Sequence, residues 1–334
     1  MNMHAVTPRV PRWKSVIGVT AALVLSLAAC GSEPSGNTAS GAAKTFKIGH
    51  MIFDTSVPFY SNLIKKERET AQQLGAQVDI RSGNGDLATE ISVVQQFVAQ
   101  KFDLILISPS DPKGIIPAVL QANNANIPVM AVNTQAATDA GGKIITYVGV
   151  DDYTFGKGQG ELLVKAVGES GNVGYITGKL GTSAQIQRKA GLMDVLKQHP
   201  GIKVVAEQAA DWDNAKALAI TQDYLSKYPK GQLSAIVSQG PEGVSGATNV
   251  QKSGRTDVKF IVGDFPADVR KAISDGTVYG SVNQDPAPQG ENAIKYAVEW
   301  LKGNQSAVPQ PNAYLDLPII TKDNVSQYKA AWGE

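Results

Sequence analysis

Short apolar runs alternate with amphipathic stretches along the chain from residue 46 onward. Some runs are apolar without interruption, as in Leu104-Ile105-Leu106-Ile107, which is typical of parallel strands that are covered on both faces. Ten runs have the length of a β-strand, at residues 46–53, 78–81, 104–108, 129–133, 145–148, 173–177, 204–209, 235–238, 259–262 and 279–282. The pattern therefore predicts a set of buried parallel strands.

The segments between these runs carry apolar residues at helical spacing. One such set precedes Gly303 and consists of Ile294, Ala297, Val298 and Leu301. Glycine is favoured just after the end of a helix, so the set predicts a helix that ends near Gly303. Alternating strands and helices with short connections predict right-handed crossovers and doubly wound sheets. Ten strands are too many for one small sheet, and the expected fold class is α/β with two doubly wound parallel-sheet lobes.

The first 29 residues follow a different pattern. Arg9, Arg12 and Lys14 precede an apolar stretch at residues 16–29, and no acidic residue occurs among them. The stretch is short for a transmembrane helix and has the length of the apolar region of a signal peptide. We therefore interpret residues 1–29 as an export signal.

The apolar stretch ends in Leu27-Ala28-Ala29-Cys30, which resembles the lipobox of bacterial lipoprotein signals. The resemblance implies that Cys30 is lipidated and that the chain is cleaved just before it. Cys30 is the only cysteine of the chain and stands at the position the motif requires, which favours this interpretation over an ordinary signal peptide with an incidental cysteine. Residues 30–44 are mostly glycine, serine and alanine, and they predict a flexible tether to the folded body.

The charge balance and the counts of cysteine and histidine exclude some kinds of binding partner. The 334-residue chain has 31 basic and 30 acidic residues and a formal charge of +1, which falls to −2 (28 basic, 30 acidic) without residues 1–29. This balance argues against nucleic acid as a partner, because phosphate binding needs clustered basic charge. A single cysteine and three histidines argue against a metal site. We expect a monomer without metal or cofactor.

The sequence also argues against an enzyme. It contains neither a Gly-x-Ser-x-Gly nucleophile motif nor a phosphate loop. The glycine cluster at residues 156–160 lacks the spacing and the acidic partner of a dinucleotide site, so we interpret it as a helix-packing feature. An export signal further disfavours a nucleotide-dependent enzyme.

Polar and aromatic residues follow the predicted strands at their carboxyl ends, where open α/β sheets bind ligands. The mixture suits a polyhydroxylated ligand, because planar polar groups pair with neighbouring hydroxyls and aromatic faces cover the C–H faces of a sugar or polyol. The candidate ligand-binding residues are Phe59, Tyr60, Ser108, Asp111, Asn133, Thr134, Arg188, Trp212, Gly240, Asp264 and Gln284.

Several of these residues lie in motifs with a recognisable order and spacing. The motifs are Pro58-Phe59-Tyr60, Ile107-Ser108-Pro109-Ser110-Asp111, Gly181-Thr182-Ser183-Ala184 followed by Arg188, Ala210-Asp211-Trp212-Asp213, Val262-Gly263-Asp264, and Gln284. From about residue 46 to its C-terminus the chain resembles a type I periplasmic solute-binding protein of the ribose-binding cluster, the extracytoplasmic receptor of an ABC importer. The resemblance implies two lobes, joined by three hinge strands, that close on one sugar.

The resemblance also implies roles for individual residues. Phe59, Tyr60 and Trp212 would stack on the ligand. Arg188 would bind its hydroxyls through the guanidinium, and Gln284 would contribute an amide on the hinge side.

Departures from the family pattern bear on the identity of the ligand. Asp264 is the implied carboxylate acceptor, although the chain reads Gly-Asp-Phe where the family more often has Gly-Phe-Asp. Ribose-type members carry asparagine in place of Ser108, Asp-Arg in place of Asn133-Thr134, and Asn-Asp in place of Gly240-Pro241. The pocket has thus lost an arginine and several other polar groups, which argues against ribose and favours a sugar alcohol, another pentose or a cyclitol.

These inferences predict how the chain is organised and what it does. The lobes are expected at residues 45–150 plus 285–316 and at residues 151–284 plus 317–334. We expect a lipid-anchored extracytoplasmic receptor that captures a small polyhydroxylated solute and delivers it to the permease of an ABC transporter. The alternative is a receptor for signalling, of the quorum-signal or chemosensory type, that uses the same cleft.

Overall fold

The computed structural model describes residues 44–333. The predicted export signal, the lipidation of Cys30 and nearly all of the predicted tether lie outside this range. The strands of the described residues are β1 (Lys47–Ile52), β2 (Gln77–Ser82), β3 (Leu104–Ser108), β4 (Val129–Val132), β5 (Tyr147–Gly149), β6 (Ser170–Thr177), β7 (Gly201–Ala209), β8 (Ala235–Ser238), β9 (Lys259–Gly263), β10 (Gly280–Val282), β11 (Asn312–Tyr314) and β12 (Ile319–Thr321).

Helices connect most of these strands. They are α1 (Pro58–Gln73), α2 (Leu87–Ala99), α3 (Ile116–Asn124), α4 (Asp152–Val167), α5 (Ser183–Leu196), α6 (Asn214–Lys227), α7 (Gly243–Lys252), α8 (Ala267–Asp275) and α9 (Pro286–Leu301). Among residues 44–333, none of them combines the length and the apolar character that crossing a bilayer requires.

The strands form two six-stranded sheets, which confirms the predicted fold class of two parallel-sheet lobes. The first sheet has the order β11-β5-β4-β3-β1-β2, and all its pairs are parallel. The second has the order β12-β10-β9-β8-β6-β7, and only β12 runs antiparallel to its neighbour. We call the first sheet with its helices the first lobe, and the second sheet with its helices the second lobe.

Each sheet is covered by apolar side chains on both faces. In β3, Leu104 and Leu106 belong to one core cluster, while Ile105 and Ile107 belong to another. All four side chains are fully buried. Successive residues of a strand point to opposite faces, so this uninterrupted apolar run serves two cores at once.

The chain changes from one lobe to the other at three places. After β5 of the first sheet, α4 packs on β9 and β10 of the second. After β10, α9 packs on α1 in the first lobe. The third change lies between β11 and β12, which belong to different sheets.

Candidate ligand-binding site

A cavity lies between the lobes, at the carboxyl ends of strands from both sheets. Its volume is about 120 Å³, and it is partly open to solvent. Eight of the eleven candidate residues line it, namely Phe59, Tyr60, Asn133, Thr134, Arg188, Trp212, Asp264 and Gln284. Their contact with a ligand stays a prediction, but the structure brings them to one place.

Ser108 does not line the cavity, which corrects its assignment as a ligand contact. Its side chain is fully buried in the first lobe. The hydroxyl donates a hydrogen bond to the carbonyl oxygen of Val132 at 2.6 Å and lies 2.9 Å from Nε2 of His50. The group is thus engaged inside the sheet and stabilises the pairing of neighbouring strands.

Asp111 also does not line the cavity, and its carboxylate shapes a turn. Oδ1 accepts hydrogen bonds from the backbone amides of Lys113 and Gly114, both at 2.9 Å. A short polar side chain that bonds the backbone two or three residues later is typical of such turns. Asp111 therefore organises the connection to α3 instead of facing the cavity.

Gly240 is not among the residues that line the cavity, but it leaves space for two groups that do. A Cβ atom at this position would lie 2.4 Å from Oε2 of Glu242 and 3.0 Å from Cε3 of the Trp212 indole. Any larger residue would displace one of these groups, so Gly240 acts on the cavity through its neighbours.

Aromatic rings form the wall of the cavity in the first lobe. Pro58 begins α1 and is followed by Phe59 and Tyr60, whose rings meet edge to face at 5.6 Å. The hydroxyl of Tyr60 donates to Oδ1 of Asn133 at 2.9 Å. Burial raises the pKa of Tyr60 well above its ordinary value, so the hydroxyl keeps its proton and holds the amide in place.

Side-chain amides connect the hinge side of the cavity. Nδ2 of Asn133 donates to Oε1 of Gln284 at 3.3 Å and to Oε1 of Gln289 at 3.1 Å. Nε2 of Gln289 also donates to Oε1 of Gln284 at 3.2 Å. These three residues follow β4 and β10 or lie on α9, so the network spans a change of lobe.

Arg188 lies on α5 and is 2% exposed. Its Nε donates to Oδ1 of Asp152 at 2.9 Å, and Nη1 donates to the carbonyl oxygen of Gln239 at 3.0 Å. The guanidinium carbon lies 3.8 Å from the ring centre of Phe155 and 5.7 Å from that of Trp212. Two of the five N–H donors are thus used to fix the group within the second lobe.

Close contact between α4 and α5 fixes the position of Arg188. A Cβ atom on Gly156 would lie 2.0 Å from the carbonyl oxygen of Arg188, and one on Gly191 would lie 2.0 Å from that of Tyr153. Only glycine allows the two backbones to approach so closely. This supports the interpretation of residues 156–160 as a helix-packing feature.

Trp212 reaches across the cavity from the second lobe. Its φ angle of +65° lies in the left-handed region, where a bulky residue is uncommon. A Cβ atom on Gly178 would lie 1.9 Å from Cζ2 of the indole, so that glycine leaves the space the ring occupies. The indole packs on the apolar cluster of the first lobe that contains Phe59 and Tyr60.

Buried acids surround the single guanidinium. Burial raises the pKa of Asp264 to about 7, although Arg188 acts in the opposite direction. Burial also raises the pKa of Asp152 and of Glu242. Within residues 44–333 no cluster of histidine, cysteine and acidic residues is arranged to hold a metal ion.

Three important residues of the site were not predicted as ligand-binding. Asp152 begins α4, and nothing in the sequence pairs it with Arg188. Glu242 and Trp332 also line the cavity. Glu242 lies in the loop before α7 and Trp332 lies in the C-terminal tail, and the sequence alone does not show where these segments run. For Trp332 the sequence offers one signal, namely that a large aromatic residue occurs close to the C-terminus, beyond the last predicted strand.

The C-terminal tail contacts both lobes beside the cavity. The backbone amide of Ala331 donates to the carbonyl oxygen of Phe265 at 2.8 Å, and the carbonyl oxygen of Ala331 accepts from Nδ2 of Asn62 at 2.9 Å. The rings of Trp332 and Phe59 meet edge to face at 5.6 Å. The tail thereby places an aromatic ring over the wall formed by α1.

We expect Trp332→Ala to weaken ligand binding about tenfold, or about 1.4 kcal/mol, because the aromatic cover of the cavity is lost. Calorimetric titration measures the change. Tyr296→Ala is the matched control, since Tyr296 packs on the same apolar cluster but is absent from the cavity lining. Equal affinity of the Trp332 variant and the wild type would contradict the role of the tail.

The fold and the cleft define a two-lobed solute receptor. A family model described as "Periplasmic binding protein domain" matches residues 48–305. The chain therefore belongs to the periplasmic binding protein family. Members of this family are non-enzymatic solute receptors outside the cytoplasm, and the resemblance to type I solute-binding proteins of ABC importers is confirmed.

Characterised relatives are named for sugars and polyols. The chain is 29% identical over 289 residues to the ribose import binding protein of Escherichia coli, covering 86% of this chain and 95% of the relative. It is 29% identical over 311 residues to the xylitol-binding protein of Mycolicibacterium smegmatis, covering 92% and 85%. A solute-binding protein from Actinobacillus succinogenes with bound D-allose has a TM-score of 0.75 at 25% identity, covering 85% and 100%.

Proposed function

We propose that this protein is the receptor of an ABC importer and binds a sugar or sugar alcohol in the cavity between its lobes. The observation that carries the proposal is the lining of that cavity, which combines aromatic rings with a fixed guanidinium and buried carboxyls. Aromatic faces suit the C–H faces of such ligands, and the charged groups suit their hydroxyls. The names of the relatives, for ribose and xylitol, support the same ligand class.

The proposed ligand is a sugar alcohol, a pentose or a cyclitol, and the proposed partner is the permease of the importer. The changes of sheet along the chain support lobes at residues 45–150 plus 285–316 and at residues 151–284 plus 317–334. Three connections between the lobes allow hinge closure, and a ligand that contacts both lobes shifts the equilibrium toward the closed state. The comparisons give no support to the signalling alternative.

A thermal-shift screen across pentoses, hexoses, sugar alcohols and cyclitols tests the proposed function. A ligand at about 100 times its Kd stabilises the folded state by about 2.7 kcal/mol. For a protein of this size we expect a rise in Tm of about 4–5 °C with the cognate compound. Glycine and citrate serve as small-solute controls. Failure of every polyhydroxylated compound to raise the Tm would contradict the proposal.

We also propose that the mature protein begins at a lipidated Cys30 and is held at the outer face of the cell membrane. Each buried acyl CH₂ contributes about 0.8 kcal/mol, so more than one chain gives stable attachment. We expect Cys30→Ala to leave the protein uncleaved or to release it from the membrane fraction. Mass spectrometry of the mature N-terminus provides the measurement, and a terminus at another residue would rule the anchor out.

A further inference from the structure

Two buried carboxylates in the cavity each have an oxygen without a partner. Glu242 is 1% exposed and Asp264 is 4% exposed, and both line the cavity. Oε2 of Glu242 and Oδ1 of Asp264 make no hydrogen bond with any of the described residues. Buried polar atoms are paired in most proteins, so two unpaired acceptors at one cavity need an explanation.

The local structure fixes the carboxylate of Glu242, a residue that lines the cavity. Its Oε1 accepts a hydrogen bond from Oγ of Ser238 at 2.8 Å, which fixes one end of the group. Its Oε2 occupies the space that a side chain on Gly240 would fill, 2.4 Å from the position of a Cβ atom. The backbone amides of Gly240 and Glu242 are near enough to lower the pKa of the carboxyl, but neither makes a well-formed bond with Oε2.

Buried acids outnumber buried cations at the cavity, and negative charge exceeds positive charge there above about pH 7, where Asp264 is ionised. Asp152, Glu242 and Asp264 are three buried acids that act on the one buried guanidinium of Arg188. Asp152 already takes the Nε donor of that guanidinium. Unpaired buried acceptors cost free energy unless a donor reaches them. A ligand with hydroxyl donors would satisfy them, whereas a carboxylate or phosphate would add acceptors and negative charge.

We propose that Glu242 is a ligand-binding residue, and that it forms with Asp264 an acceptor pair that takes hydrogen bonds from two hydroxyls of the ligand. The inference rests on the proposed function and adds to it a selection rule. The pair favours neutral polyhydroxylated compounds over sugar acids and sugar phosphates, because only the neutral compounds supply donors without further negative charge.

Calorimetry with neutral and anionic probes tests this inference. The probes are xylitol, D-ribose and myo-inositol, with D-xylonate and D-ribose 5-phosphate as anionic counterparts. We expect Glu242→Ala to bind the tightest neutral probe at least thirtyfold more weakly. Glu242→Gln, which keeps the shape and loses the charge, should bind about fivefold to tenfold more weakly and discriminate less against the anions.

Two further variants serve as control and as second test. Glu67→Gln makes the same change at a buried glutamate on α1 that also has one unpartnered oxygen and lies outside the cavity lining; its affinity should match the wild type. Gly240→Ala places a methyl group against Oε2 of Glu242 and should weaken binding although the carboxylate remains. Melting curves without ligand establish that each variant is folded.

The outcomes separate this inference from the proposed function. If the wild type binds a neutral probe and both Glu242→Ala and Gly240→Ala bind it within twofold of the wild type, the acceptor pair is wrong and the receptor function stands. Equal affinity of the wild type for neutral and anionic probes would also overturn the selection rule. If the wild type binds no compound of either kind, the proposed function itself fails.

Discussion

Arg188→Met is expected to abolish measurable ligand binding and to lower the free energy of unfolding by about 3–5 kcal/mol. The side chains of Arg188 and Asp152 are 3% and 2% exposed and are joined at 2.9 Å. Removal of the guanidinium leaves the carboxyl of Asp152 buried without its cation, which is strongly destabilising. Loss of two charge-assisted hydrogen bonds to a ligand would cost about a hundredfold or more in affinity.

A second variant separates the two effects. In Arg188→Met/Asp152→Leu both partners are replaced by apolar side chains, and such replacements are often neutral for stability. We expect urea unfolding to show most of the lost stability restored, while calorimetry still finds no ligand binding. Ligand affinity retained in the single variant would mean that Arg188 is only a structural partner of Asp152.

Periodicity was sufficient to predict the fold class because short apolar runs mark most strands and apolar residues at helical spacing mark the segments between them. The ten predicted strands are all present in the described residues, with small shifts at their ends. The strands β11 and β12 were missed, since each has three residues and includes exposed or half-buried positions. Their extended conformation comes from pairing with β5 and β10, which no local pattern reveals.

The rule that ligands bind beyond the carboxyl ends of parallel strands placed most of the site correctly. The rule gives the position of a residue but not the direction of its side chain, and it failed for that reason at Ser108. Ser108 is the last residue of β3, and its side chain turns toward His50 inside the lobe. The pairing of Asp152 with Arg188 could not be found from sequence, because the two residues are distant along the chain.

Asp264→Asn is expected to change the pH dependence of stability. The folded state holds the carboxyl pKa at about 7, against an ordinary value of 3.8, because the group is buried. Between about pH 4 and pH 7 the folded protein therefore retains a proton that the unfolded chain releases. The stability of the wild type falls as pH rises through this window, by up to about 4 kcal/mol at 1.36 kcal/mol per pKa unit.

Asparagine cannot ionise, so the curve of Asp264→Asn should lack this fall. We expect the variant to gain stability relative to the wild type from pH 5 to pH 8, as measured by urea unfolding without ligand. Asp86→Asn is the control: its exposed carboxylate has a lowered pKa through bonds with Thr89, so its stabilising effect is lost only below this window. Parallel curves for the wild type and Asp264→Asn would show that the carboxyl is not held in a buried environment in the ligand-free protein.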